Sequence, residues 1–173
     1  MILQTQRLTL RPIRVEDAVA LYLARGDADV MRYWDWPEQQ SVDRVRDILA
    51  AHIPEPDDET MLWWVAALSP DGPAIGECDL SEIDHHNRRA EVGFLFTKAH
   101  WGQGYACEAM ERVVAHGFGE LGLERLWARV HDGNTASQRL LERLGFVYEG
   151  RLRAHVVRDG ARRDCLVYGR LRD

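Results

Sequence analysis

Val92-Gly93-Phe94-Leu95-Phe96-Thr97-Lys98-Ala99-His100-Trp101-Gly102-Gln103-Gly104-Tyr105-Ala106 joins two kinds of periodicity. Its first five residues form an apolar run with the β-branched and aromatic character of a strand. After Tyr105, apolar residues return at Ala106, Met110, Val113, Val114, Gly117 and Phe118, which is helix spacing. Between strand and helix lies a turn bearing Gly102 and Gly104. Such a turn leaves the first N–H groups of the helix without intrahelical partners, aligned with the positive end of its dipole. Glycines there let an anion approach the backbone closely and permit unusual φ values. The stretch therefore suits a phosphate or pyrophosphate, with tight strand–helix packing as the competing reading. No Gly-Lys-Ser/Thr follows, so the Walker pattern is absent, and Ala106 and Cys107 follow with no third glycine to complete a dinucleotide fingerprint.

The finer pattern is more specific. Trp101-Gly102-Gln103-Gly104-Tyr105-Ala106, followed by Glu108-Ala109, resembles the acetyl-CoA pyrophosphate loop of the GCN5-related N-acetyltransferases, the GNAT superfamily. Further on, Asn134-Thr135-Ala136-Ser137 and Leu141-Glu142-Arg143-Leu144-Gly145-Phe146 resemble the superfamily's next helix and following strand, especially in the branch of ribosomal-protein N-terminal acetyltransferases. The family motif usually begins with Gln or Arg where this sequence has Trp101. That departure removes a polar contact but leaves a motif that works through backbone geometry.

At 173 residues the chain is long enough for one domain with a substantial core, and nothing marks a boundary, so residues 1–173 are expected to form a single N-acetyltransferase domain. A net charge of −6 argues against a nucleic-acid partner, which would want a basic face. Cys78, Cys107 and Cys165 are odd in number and far apart, which speaks against a disulfide framework or zinc site and fits a reducing cytoplasm. Gln4, Gln6 and Arg7 interrupt any early apolar signal, and the longest apolar run, Met61–Leu68, is too short to span a bilayer. A soluble, cytoplasmic protein without membrane contact is expected.

Along the chain, Thr5–Pro12 alternates as a half-buried strand. Glu16 and Asp17 open a helix whose apolar surface is read as Ala20, Leu21 and Leu23, ended by Arg25-Gly26-Asp27. Val30–Pro37 is an aromatic-rich loop or short helix, and Ser41 caps a helix with Val42, Val45, Ile48 and Leu49 on one side. Residues 53–59 read as an exposed loop, Thr60–Leu68 and Ala74–Leu80 as strands about a Ser69–Gly72 turn, and Glu82–Arg89 as a polar connection before the strand Glu91–Thr97. Leu126, Ala128 and Val130 mark another strand, Asn134 to about Leu144 a helix closed by Gly145, and Asp159-Gly160 the turn of a final hairpin. The resulting order, β-α-α-β-β-β-α-β-α-β-β, matches the GNAT acyl-CoA N-acyltransferase fold, an α/β (α+β) arrangement with a mixed sheet and helices on both faces.

The resemblance implies the following site. Backbone N–H groups of Trp101, Gly102, Gln103, Gly104, Tyr105 and Ala106 hold the acetyl-CoA pyrophosphate, while backbone on the splayed strand at Phe94, Leu95 and Phe96 polarises the thioester carbonyl. Asn134 bonds the pantetheine arm, or simply caps its helix. Many members carry a Tyr seven residues after that Asn as general acid; here the position is Leu141, and Ser137, one turn beyond Asn134, is the candidate donor to the departing thiolate. Its bland reading is a first-turn Ser satisfied by its own backbone. Glu91 is the candidate general base, raised in pKa among apolar neighbours, with a solvated pairing to Arg88 or Arg89 as the alternative. Tyr33, Trp34 and Trp36 either wall the acceptor site or cover the sheet. His85-His86 and His100 are read as surface residues, and no metal is implied.

The expected activity is direct acetyl transfer from acetyl-CoA to a primary amine, on a small molecule or a protein N-terminus, within a ternary complex. The alternatives are a non-catalytic acyl-CoA-binding sensor or regulatory module and, further off, a nucleotide-binding protein. Analogy with relatives implies a homodimer that pairs the terminal hairpin strands across a two-fold axis.

Overall fold

The computed structural model describes residues 1–53 and 58–173, so the middle of the loop expected at 53–59 lies outside the described residues. In chain order the elements are β1 (Leu3–Gln4), β2 (Thr9–Pro12), α1 (Ala18–Arg25), α2 (Ala28–Met31), α3 (Val42–His52), β3 (Leu62–Ala67), β4 (Ala74–Asp84), β5 (Arg89–Phe96), α4 (Tyr105–Gly119), β6 (Arg125–His131), α5 (Thr135–Arg143), β7 (Val147–Arg158) and β8 (Ala161–Leu171). The strands form one sheet in the order β1-β2-β3-β4-β5-β6-β8-β7. Neighbouring strands run antiparallel except β5 and β6, which are parallel. The α/β class and mixed sheet are those expected.

Two main cores explain the layering. On one face, Ala109, Met110, Val113 and Val114 of α4 and Leu141 and Leu144 at α5 pack on Trp64, Cys78, Leu80, Val92 and Leu126. On the other, Ala18 and Leu21 of α1 and Val45 and Leu49 of α3 pack on Trp63 and Val65. Each helix buries one stripe and each strand feeds both faces, as periods of 3.6 and 2 require.

The boundaries differ from expectation in instructive places. Thr5–Pro12 is not one strand: Thr5 Oγ1 accepts from the Leu8 N–H at 2.8 Å, turning the chain so that β1 pairs back on β2. Leu23 is 67% exposed, and the buried stripe of α1 is instead Ala18, Leu21, Ala24 and Arg25. The polar connection expected from Glu82 is shorter, because β4 continues to Asp84, where the Asp84 carboxylate accepts from the Asn87 N–H at 2.8 Å. The aromatic segment begins within the last two residues of the one-turn α2, which is capped by Asp27. Ser41 caps α3 as read, accepting from the Arg44 N–H at 3.1 Å. Asp159 and Gly160 both have positive φ, 53° and 74°, which is what a two-residue hairpin turn needs.

Candidate active site

β5 ends at Phe96, and a single 3-10 turn at Lys98–His100 carries the chain into the glycine turn. Gly102 and Gly104 have φ of +71° and +81°. Gly104 is the N-cap of α4, and the first i→i−4 bond there runs from the Glu108 N–H to the Gly104 carbonyl. The amides before Glu108 are therefore the unpaired ones of the helix start. A Cβ on Gly102 would meet nothing within 4 Å, so the space beside that turn is open. Trp101 takes on a role of its own: its indole Nε1–H donates to the Phe96 carbonyl at 2.9 Å and ties the turn to the end of β5.

The turn is braced from the far end of the chain. Glu108 accepts from Thr5 Oγ1 at 2.6 Å, from the Arg7 N–H at 2.7 Å and from Arg7 Nε at 2.6 Å. Arg7 also donates to the Gln103 carbonyl at 3.0 Å and lies 4.5 Å from the centroid of the Tyr105 ring. Gly104→Ala would place a side chain in a left-handed backbone, at a cost of about 1 kcal/mol. We expect thermal unfolding to report it as a Tm lowered by roughly 2–4 °C.

β5 and β6 share a ladder only over Arg89–Glu91 with Arg125–Trp127. From Val92 onward they diverge, and the wedge between them joins two clefts. One, of about 640 Å³, runs past Phe94, Leu95, Phe96, the Trp101–Cys107 turn and α5, where Arg139 and Arg143 stand one turn apart. The other, of about 570 Å³, lies between the sheet and the α1–α3 face, under the loop Tyr33–Trp36. Tyr33, Trp34, Phe94, Asn134 and Ser137 line both, so they mark the junction.

The floor of the second cleft is polar. Arg25 forms a buried two-pronged pair with Glu77, both contacts at 3.0 Å. Asp35 accepts from His131 Nε2 at 2.6 Å and from Arg129 Nη2 at 3.1 Å, and these bonds hold its carboxyl below the usual range. Among the described residues Glu91 makes no ion pair: Arg88 pairs with Glu124 and Arg89 with Asp84. Burial pushes the Glu91 carboxyl up to about 7, opposed by the charge of Arg129. Burial likewise pushes Asp79 up to about 6.

A family model described as an acetyltransferase (GNAT) domain matches residues 7–147. The chain belongs to the GNAT acetyltransferase family. It is 32% identical to the uncharacterized N-acetyltransferase YoaA of Bacillus subtilis over 96% of this chain and 94% of that one. A candidate ribosomal N-acetyltransferase of the same organism, YdaF, is 33% identical over a stretch covering 62% of this chain and 58% of the other. Among solved structures, a spermidine N-acetyltransferase from Vibrio cholerae in complex with CoA and spermine superposes with a TM-score of 0.82 at 26% identity, covering 95% of each chain. This GNAT chain is an N-acetyltransferase by fold and relatives. No helix among the described residues is long and apolar enough to cross a membrane.

Of the GNAT residues expected from sequence, Trp101, Gly102, Gly104, Tyr105 and Ala106 line the first cleft with Phe94, Leu95 and Phe96. Gln103 contributes backbone to the same turn, while its side-chain amide turns back to donate to the Ala99 carbonyl at 3.0 Å. Asn134 does cap α5, its Oδ1 accepting from the Ser137 N–H at 3.2 Å. Glu91 lies in the second cleft, and Tyr33, Trp34 and Trp36 roof it. Trp34 also packs on the small core of Ala24, Val30, Met31 and Leu95, so it serves both readings. Leu141 is fully buried and donates nothing. Sequence reasoning missed the Arg7–Glu108 brace, Arg25–Glu77, Asp35 with His131, and Asp79. Only Arg139 and Arg143 carried a local signal, an i, i+4 basic pair on the helix after the Asn134 cap.

Proposed function

We propose that the whole chain works as one domain that transfers the acetyl group of acetyl-CoA to a primary amine, in a ternary complex held across the β5–β6 wedge. The observation that carries this reading is the meeting of the two clefts at Phe94, Asn134 and Ser137. Amides of the Trp101–Ala106 turn and the guanidiniums of Arg139 and Arg143 hold the phosphates of acetyl-CoA. When bound, that cosubstrate supplies an activated thioester. Backbone N–H groups of β5 between Phe94 and Phe96, freed by the divergence from β6, polarise its carbonyl. Glu91 takes a proton from the acceptor amine, and the Ser137 hydroxyl donates a hydrogen bond to the departing thiolate. Asn134 keeps α5 in register with that sulfur. A metal has no task in these steps.

The acceptor is a primary amine, either a polyamine, in line with the spermidine N-acetyltransferase of Vibrio cholerae, or a protein α-amine, in line with the ribosomal N-acetyltransferase name of YdaF. The three free cysteines accord with a cytoplasmic setting. A homodimer would use β7, one of the sheet's two edge strands, which exposes Val147, Tyr148, Leu152 and Val157. Sedimentation at micromolar concentration tests that assembly, and a monomer under those conditions would sink it.

The test of the reaction is calorimetric titration with acetyl-CoA, with ATP and NAD as controls, followed by thiol release with spermidine and an N-terminal peptide. One-site binding of acetyl-CoA alone and thiol release with one acceptor class support the reading. Binding without thiol release would favour a sensor, and no binding would remove the reaction. Ser137→Ala is expected to lower kcat about tenfold, the worth of one hydrogen bond to a developing anion, with acetyl-CoA affinity unchanged. An unchanged kcat would return Ser137 to the plain reading of a first-turn Ser satisfied by its own backbone.

A further inference from the structure

Besides Glu91 and the Arg25-paired Glu77, the floor of the acceptor cleft carries the carboxylate of Asp79 on β4. Across the β4–β5 ladder Asp79 faces Gly93 and Ser81 faces Glu91, so the two acids are diagonal neighbours on one face of the sheet. A Cβ on Gly93 would lie 2.5 Å from Asp79 Oδ1. The carboxylate thus occupies the place where any other residue at 93 would put its side chain. That place adjoins Phe94, where β5 has left β6 and the two clefts meet.

Among the described residues neither acid has an ion-pair partner. Arg25 is engaged by Glu77, and Arg129 by Asp35. Around the two, β4 also presents Glu77 and Glu82, and β6 presents Arg129 and His131 with Asp35 above them. From the helical side come Arg25 of α1 and Arg44 and His52 of α3. Partly buried carboxylates without a cation are costly unless something supplies one.

We propose that Asp79 and Glu91 form a carboxylate pair that takes the acceptor amine in its ammonium form and holds one of its protons while the freed nitrogen attacks. This rests on the acetyl-transfer reading. The ammonium gives one proton to the pair, and the neutral nitrogen forms a bond to the acetyl carbon. The C–S bond breaks, and the nitrogen's remaining surplus proton goes to the thiolate. The pair then releases its proton to water, so that ammonium and acetyl-CoA become amide, CoA thiol and one proton. Burial already lifts both acids toward neutrality, and the charge of Asp79 adds to the rise at Glu91.

Carbon-13 NMR titration of the side-chain carboxyls in the whole wild-type protein reads the pair without any substrate. We expect two-step curves at both residues, and a Glu91 midpoint that moves to lower pH in Asp79→Asn, because a neighbouring negative charge is gone. Single independent steps in the wild type, or an unmoved Glu91 midpoint in the variant, would overturn the pair. With spermidine as acceptor, Asp79→Asn is expected to lower kcat/KM for the amine about tenfold or more and to move the acid limb of its pH profile downward, leaving the KM for acetyl-CoA unchanged. A change below twofold with an unmoved limb would overturn the proposal as well. Should Asp79→Asn fail to fold, the wild-type curves still decide. Wild-type protein that acetylates no amine would instead defeat the function proposed above, and the titration would report on the pair regardless.

Discussion

Glu91→Gln is expected to lower kcat about a hundredfold or more while acetyl-CoA binds as tightly as before. Glu91 sits in the second cleft, the proposed acceptor site, away from the glycine turn and the Arg139–Arg143 rim that would hold the phosphates. Glutamine keeps its size and takes away only the proton-accepting oxygen. The wild-type rate should itself carry the signature of this group. With its carboxyl pushed up to about 7, Glu91 is protonated below that pH and unable to accept a proton, so kcat/KM should rise with pH through about 7 and then level off. The variant should lose that limb. Stability should move the other way. A carboxyl whose folded pKa lies above its unfolded value of 4.5 favours the folded state at low pH, and that advantage is lost as pH rises from 4.5 through about 7. Above that window the charged group is a burden, so Glu91→Gln should be more stable than wild type at pH 8, by something of order 2 kcal/mol. Steady-state kinetics and denaturant unfolding at two pH values check all three expectations. A variant that keeps its rate, or that becomes less stable at pH 8, would show that Glu91 is a structural acid.

The elements that can be read from the sequence are those written locally. Ser41 three residues before Arg44, the positive-φ pair Asp159-Gly160, the alternation of Leu126, Ala128 and Val130, and the glycine turn each place their chemistry within a few positions. The hairpin at Leu3–Leu10 was hidden because its turn is closed by a threonine hydroxyl and contains no glycine or proline. The outer face of α1 was misread at Leu23 because Arg25 takes a buried position that a hydrophobicity pattern assigns to an apolar residue. In the site the division is the same. The glycine turn was legible as a motif, whereas Arg7 reaches Glu108 across 101 positions and Asp35 reaches His131 across 96. Such partners are chosen by the sheet order, which brings the chain's first turn beside α4 and the aromatic loop over β6. Asp79 was silent for another reason: its significance lies in the side chain that Gly93 lacks.

The largest loss of stability is expected from Arg25→Ala, about 3–5 kcal/mol, because it strands a buried carboxylate. Arg25 leaves the last turn of α1, crosses the ring of Trp63 at 5.4 Å from its centroid, and meets both oxygens of Glu77. The side chains are 8% and 4% exposed, so water cannot take over when the guanidinium is gone. Its backbone matters too: the Arg25 carbonyl accepts from the Gln39 N–H at 2.7 Å, linking the end of α1 to the segment that follows the aromatic roof. The pair therefore fastens α1 to the sheet at the same place where the roof is anchored. Replacing both members by apolar residues, Arg25→Met with Glu77→Leu, should recover most of the lost stability, since the desolvation of two ions is removed together with their attraction. A double-mutant cycle by denaturant unfolding measures this coupling. A cost below 1 kcal/mol for Arg25→Ala would mean that Glu77 finds water or another cation. If the double variant folds but fails on the acceptor side, with a raised KM for the amine and an unchanged one for acetyl-CoA, the pair's charge pattern rather than its strength is what the acceptor cleft requires. Arg25 and Glu77 would then be kept for the field they set beside Asp79, a reason that stability alone does not supply.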